Sequence, residues 1–138
     1  MRESNMKLTI QHVGGLRFVA TADGHAVVVD AAISDGGGGT ALSAPQLFVA
    51  AVGACILEFV VNSCRLHGLP VELLSLEIVG TEETGPRRIG AVEATIHIEP
   101  ELPEDVKRRL VGVASHATLV NTLLRPPEVT IRFVSQTE

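Results

Sequence analysis

The sequence predicts an α+β fold in the order βββ-α-ββ-α-β, and three observations carry that reading. Short β-branched runs are separated by glycine-rich turns, which makes hairpins and largely antiparallel sheets. One long run, Ser43-Ala44-Pro45-Gln46-Leu47-Phe48-Val49-Ala50-Ala51-Val52-Gly53-Ala54-Cys55-Ile56-Leu57-Glu58-Phe59-Val60-Val61, is almost wholly apolar and reads as a central helix. A shorter stretch after Pro103 has apolar residues at helical spacing.

The elements follow in order. Residues 7–12 and 16–22 are strands around the turn Val13-Gly14-Gly15, and Asp23-Gly24 turns the chain into a valine-rich third strand over residues 26–33. Asp35-Gly36-Gly37-Gly38-Gly39-Thr40 is a flexible connection that also permits close backbone approach to a ligand. It is not a phosphate loop, because no Gly-Lys-Ser/Thr ends it. The central helix is expected over residues 45–67, with Ser43 as its cap, Pro45 in its first turn, and Gly68 and Pro70 as its stop. Residues 71–80 and 87–99 are strands joined by the polar turn Glu82-Glu83-Thr84-Gly85-Pro86. Pro103-Glu104-Asp105 opens the second helix, with acids where the helix dipole favours them. Val106, Leu110, Val111 and Val113 form its apolar face. Residues 116–124 add a further helical turn or two, Arg125-Pro126-Pro127 ends them, and residues 128–134 are a last strand.

Composition narrows the function. The chain of 138 residues suits one domain over residues 1–138, with a tail expected over residues 1–6. Hydrophobic residues make up 46%, with four Phe and no Trp or Tyr, so the core is aliphatic. A formal charge of −5 leaves no basic footprint for nucleic acid or an anionic membrane. The scarcity of aromatics removes the stacking platforms that bind single strands. The N-terminal segment has no signal-peptide core, which predicts an unexported, cytoplasmic protein. The uninterrupted apolar stretch of the central run, residues 47–57, falls short of the ~18 residues of a membrane span, and Glu58 after it argues against lipid. A helix apolar on every side must be covered on every side. One sheet covers one side, so a homodimer with two such helices in contact is expected, Ala50, Ala51, Gly53 and Ala54 allowing close approach.

Four residues are candidates for chemistry. Cys55 is expected to point inward from the central helix, either as a small core residue or as a nucleophile. It lies too far from the helix start for the dipole to activate it, so a cation from elsewhere is required. Glu58 shares its helix face at i+3, as a surface charge or a functional carboxylate. Arg17 alternates with Leu16 and Phe18, on an outer face or as the missing cation. His116 opens the segment after the second helix. The histidines at 12, 25, 67, 97 and 116 have no metal-ligand spacing, so neither metal nor cofactor is expected. Cys64 reads as a semi-exposed, incidental thiol. It cannot pair with Cys55, because nine residues of helix turn it roughly 180° away and about 13 Å along.

The segment from Ser43 to Cys55 resembles the central-helix signature of the OsmC/Ohr family. Ala114-Ser115-His116-Ala117-Thr118-Leu119-Val120-Asn121-Thr122-Leu123, with Pro126-Pro127-Glu128-Val129, resembles its second signature. The order of elements fits that family over about residues 7–135. The resemblance implies an intertwined homodimer with two central helices side by side. It also implies reduction of organic hydroperoxides by a two-cysteine cycle, with an arginine and a glutamate holding the first thiolate. Cys55 then matches the peroxidatic position and Arg17 the arginine. The glutamate's place is Pro45, followed by Gln46, and the resolving cysteine's place is Ala117. What remains is a one-cysteine thiol peroxidase reset by an external thiol, with His116 or Glu58 assisting proton transfer. The alternatives are a family member that binds a small hydrophobic ligand at the dimer interface, and a structural, stress-related dimer.

Overall fold

The computed structural model describes residues 5–135. Its elements are β1 (Thr9–Gly14), β2 (Arg17–Ala22), β3 (His25–Asp30), a 3-10 turn (Ile33–Asp35), α1 (Ala44–Leu66), β4 (Leu73–Glu83), β5 (Arg88–Glu99), α2 (Glu104–Ala114) and α3 (Thr118–Leu124). The class is α+β, as the sequence predicts. Strands β1, β2 and β3 form an antiparallel sheet in sequence order, and β4 pairs with β5 in a second, two-stranded sheet. Most of the expected tail, residues 1–4, lies outside the described residues; Asn5 and Met6 carry no regular structure.

Helix α1 begins as Ser43 predicts. The Ser43 backbone N–H donates to Gln46 Oε1 at 2.9 Å, and the Gln46 N–H donates to Ser43 Oγ at 3.3 Å. This reciprocal pair satisfies two donors that a helix start would otherwise orphan. At the other end Gly68 takes a φ of +63°, and the Leu69 N–H reaches back to the Cys64 carbonyl at 3.0 Å. A left-handed residue closing a helix in this way consumes its last free carbonyls.

Two expectations are corrected. The last strand does not form: residues 126–135 have no regular structure. A strand exists only through a ladder partner, and none of the described strands pairs with this segment. Its apolar side chains therefore stand in solvent, Ile131 at 90% and Phe133 at 97% exposure. As expected of a single chain, α1 is not covered on every side. Its buried row is Val52, Ile56, Val60 and Cys64, at i+4 spacing, while Phe48, Ala50, Ala51 and Ala54 are exposed. The second correction is the length of α1: at 23 residues it could cross a membrane by length and composition alone, so its length does not argue against a span.

The chain forms two compact units. One comprises the residues up to Gly53 together with Glu77–Thr95, and holds the three-stranded sheet, the start of α1 and the tip of the β4–β5 hairpin. The other comprises Ala54–Leu76 and the residues from Ile96 onward. Its core is Ile56, Val60 and Cys64 from α1, with Leu102, Leu110, Ala114 and Ala117.

Candidate functional site

In the first unit, antiparallel pairing sets Arg17 of β2 directly across from Asp30 of β3. Directly opposed residues project to the same sheet face about 5 Å apart, which brings their side chains within reach. Arg17 Nε lies 3.6 Å from Asp30 Oδ2. Asp30 is 1% exposed, whereas the Arg17 side chain is 45% exposed.

A buried carboxylate is costly unless donors surround it. Here the glycine-rich loop supplies them. The Gly38 N–H donates to Oδ1 at 3.2 Å, and the Thr40 N–H donates to Oδ2 at 3.0 Å. The Thr40 hydroxyl donates to the same oxygen at 2.6 Å. The Asp30 N–H is itself donated to the Leu42 carbonyl at 3.1 Å. The Thr40 hydroxyl, then its backbone N–H, lower the Asp30 pKa to about 2 against the opposing cost of burial; Gly38 and the Arg17 charge add to the same direction. The carboxylate is therefore ionised at neutral pH.

In the second unit the two thiols exchange the expected roles. Cys64 is 2% exposed and belongs to the buried row of α1, and burial pushes its pKa up. Cys55 lies off that row and is half-buried. The helical period decides this: Cys64 falls four residues after Val60, while Cys55 falls one before Ile56. Glu58 is exposed and makes no ion pair among the described residues. His116 is exposed as well, with Nδ1 2.9 Å from the Gly112 carbonyl oxygen, and its own carbonyl accepts from Asn121 Nδ2 at 3.2 Å. Ala117, beside it, is fully buried.

The first unit also contains an open cavity of about 680 Å³, with Val49, Ile78 and Ile89 on its lining. Arg87 borders it, with Nη2 3.4 Å from Asp35 Oδ2 and 3.3 Å from Glu82 Oε2. Among the described residues, no group of three or more His, Cys, Asp or Glu side chains comes together to hold a metal ion.

A family model described as OsmC-like protein matches residues 36–132, which spans α1, both later strands, α2 and α3. The chain belongs to the OsmC-like family. Solved structures with this fold are similar over most of both chains. A Psychrobacter arcticus protein named for the osmotic stress and detoxification response is 19% identical with a TM-score of 0.81, covering 88% of this chain and 90% of that one. An OsmC-like protein from Mycoplasma pneumoniae is 16% identical, with a TM-score of 0.70 and 89% of each chain covered. An organic hydroperoxide resistance protein OsmC from Legionella pneumophila is 20% identical, with a TM-score of 0.68 over 88% and 91%. A comparison with curated proteins returned no match.

Of the candidate residues in this OsmC-like chain, Arg17 gains a structural partner, whereas Cys55, Glu58 and His116 sit on accessible positions of the second unit. Sequence reasoning missed Asp30, Gly38 and Thr40. One signal was present: a single acid ends the run Val27-Val28-Val29-Asp30, where β-propensity alone gives no reason for a charge. Its partners are eight and ten residues away across an irregular loop, and no periodicity reports such a contact.

Proposed function

We propose that this OsmC-like protein is a one-cysteine, thiol-dependent peroxidase acting on organic hydroperoxides through Cys55. The observation that carries the reading is the inequality of the two thiols. Cys55, at the nucleophile's position, is accessible in part, while Cys64 is sealed. The family's hydroperoxide resistance members support the substrate class. In the reaction the Cys55 thiolate attacks the outer peroxide oxygen, the O–O bond breaks, and the sulfur becomes a sulfenic acid. The alkoxide leaves and takes a proton, from Glu58 or His116, to become the alcohol. An external thiol condenses with the sulfenic acid, releasing water, and a second thiol restores Cys55 as a disulfide departs. The family resemblance, and not a contact in the structure, supports Arg17 as the cation for the thiolate. An external reductant is needed because the resolving position is the buried Ala117, and Cys64 is on the far side of α1.

The test is mass spectrometry of the reduced protein after brief exposure to cumene hydroperoxide. One added oxygen on Cys55, removed by dithiothreitol, is the expected result. Absence of oxidation, under conditions that consume a free small-molecule thiol, refutes the reading.

The exposed apolar stripe of α1, with Phe48, Ala50, Ala51 and Ala54, favours a second copy of this chain as partner, in a cytoplasmic homodimer. Light scattering at the mass of two chains is expected. A monomer at micromolar concentration refutes it. The same stripe supports the alternative reading, a non-enzymatic dimer holding a small hydrophobic ligand at its interface, which a ligand-dependent rise in melting temperature without Cys55 oxidation would favour.

A further inference from the structure

We propose that Asp30 is the positioning residue for Arg17, fixing one edge of the guanidinium against the sheet and leaving the other free to face an anion. The inference rests on the reading that Arg17 serves the Cys55 thiolate, and it adds a residue that neither motif contains. Four observations in the first unit carry it.

Asp30 is the buried charged residue of that unit, at 1% exposure, and its side chain is not free to turn. Oδ1 is held by the Gly38 N–H and Oδ2 by both donors of Thr40. The charge that meets Arg17 Nε is consequently fixed in place before Arg17 arrives. Secondly, the direct Arg17–Asp30 pairing in the ladder fixes the two backbones, so both side chains start from the same sheet face.

Thirdly, the loop approaches so closely that it requires glycine. A Cβ on Gly38 would lie 2.8 Å from Asp30 Oδ2 and 3.7 Å from Arg17 Nη2. Any larger residue there would press on the carboxylate and crowd the guanidinium. Fourthly, Arg17 has no other acidic partner among the described residues, and its side chain remains 45% exposed. An arginine carries five N–H donors, so Nη1 and Nη2 retain donors for an external anion. A long side chain anchored at Nε and open at Nη presents its charge in one direction, and such fixed donors are worth more than mobile ones.

The experiment uses the full chain and five proteins: wild type, Arg17→Ala, Asp30→Asn, the Arg17→Ala/Asp30→Asn double variant, and Thr40→Val. The rate of Cys55 sulfenic acid formation with cumene hydroperoxide is measured for each, alongside the heteronuclear NOE of the Arg17 Nε–H. Asp30→Asn is expected to slow the reaction about tenfold when Arg17 is present and to have no effect in the Arg17→Ala background. Thr40→Val removes the hydroxyl that holds Oδ2 but keeps the backbone N–H and the carboxylate, so its rate is expected to fall between those of wild type and Asp30→Asn. The Arg17 Nε–H is expected to be as rigid as backbone in wild type and mobile in Asp30→Asn.

Equal slowing by Asp30→Asn in both backgrounds overturns the inference. So does a wild-type Arg17 signal as mobile as that of the exposed Arg108, a measurement that stands even if Asp30→Asn does not fold. Normal Cys55 oxidation in Arg17→Ala removes the link to the thiol while leaving the peroxidase reading intact. No Cys55 oxidation in any protein ends that reading, and the NOE still decides whether Asp30 orders Arg17.

Discussion

Replacing each cysteine by serine separates the two thiols energetically, and the structure fixes the order of the effects. Cys64 is 2% exposed within the row formed with Ile56 and Val60, so Cys64→Ser places a hydroxyl among apolar side chains. Burying a hydroxyl without a full partner costs about 1–3 kcal/mol by protein mutational measures. A helical serine can donate to the carbonyl four residues earlier, here Val60, which offsets part of that cost. The expected loss is therefore about 1–3 kcal/mol, a drop of roughly 5- to 150-fold in the folding constant. Cys55 is half-buried, and water can satisfy a hydroxyl there, so Cys55→Ser is expected to stay within about 0.5 kcal/mol of wild type. Urea unfolding followed by circular dichroism, at one fixed protein concentration and with unchanged slope, measures both. Equal stability of the two variants, or a greater loss for Cys55→Ser, refutes the assignment of Cys64 to the core.

The remaining predictions concern labelling, packing and acid. Iodoacetamide at neutral pH is expected to modify Cys55 at least about tenfold faster than Cys64, whose thiol is both sealed and shifted away from the thiolate, with peptide mass spectrometry as the readout. Val60→Ala, at a fully buried position, removes about two methylene equivalents and leaves a void, for a loss of about 2–3 kcal/mol in urea; Val111→Ala on the exposed face of α2 changes stability by less than about 0.5 kcal/mol. Asp30 has its pKa lowered from 3.8 to about 2 by the Thr40 and Gly38 donors. Its contribution is thus full above the unfolded value and is lost as pH falls through about 4 toward 2; thermal melts over that range should steepen for wild type and flatten for Asp30→Asn.

The two thiols show how far sequence reasoning reaches. An apolar run capped by Ser43 and stopped by Gly68 is legible because both the period and the end signals are local. The hairpins are legible for the same reason, since their turns lie within a few residues of their strands. Which side of α1 meets the core is different. The run is apolar all round, so its pattern contains no preferred face, and Cys55 and Cys64 were assigned the wrong way round. The final segment failed in the complementary way: Val129, Ile131 and Phe133 alternate as a strand should, yet alternation states only that a strand could form if a partner were at hand.

The sequence by itself determined the α+β class, the order of elements through α2, the caps of the central helix and the family. The class, the order, the caps and the family depend on local pattern or motif, while the role of Cys55 stays with the proposal above. Tertiary structure alone decided the Asp30 clasp, the orientation of Arg17 and the burial of Cys64. Those depend on which backbone donors arrive beside a buried charge and on which helix face finds cover. Both are settled by long-range packing, to which residue spacing is blind.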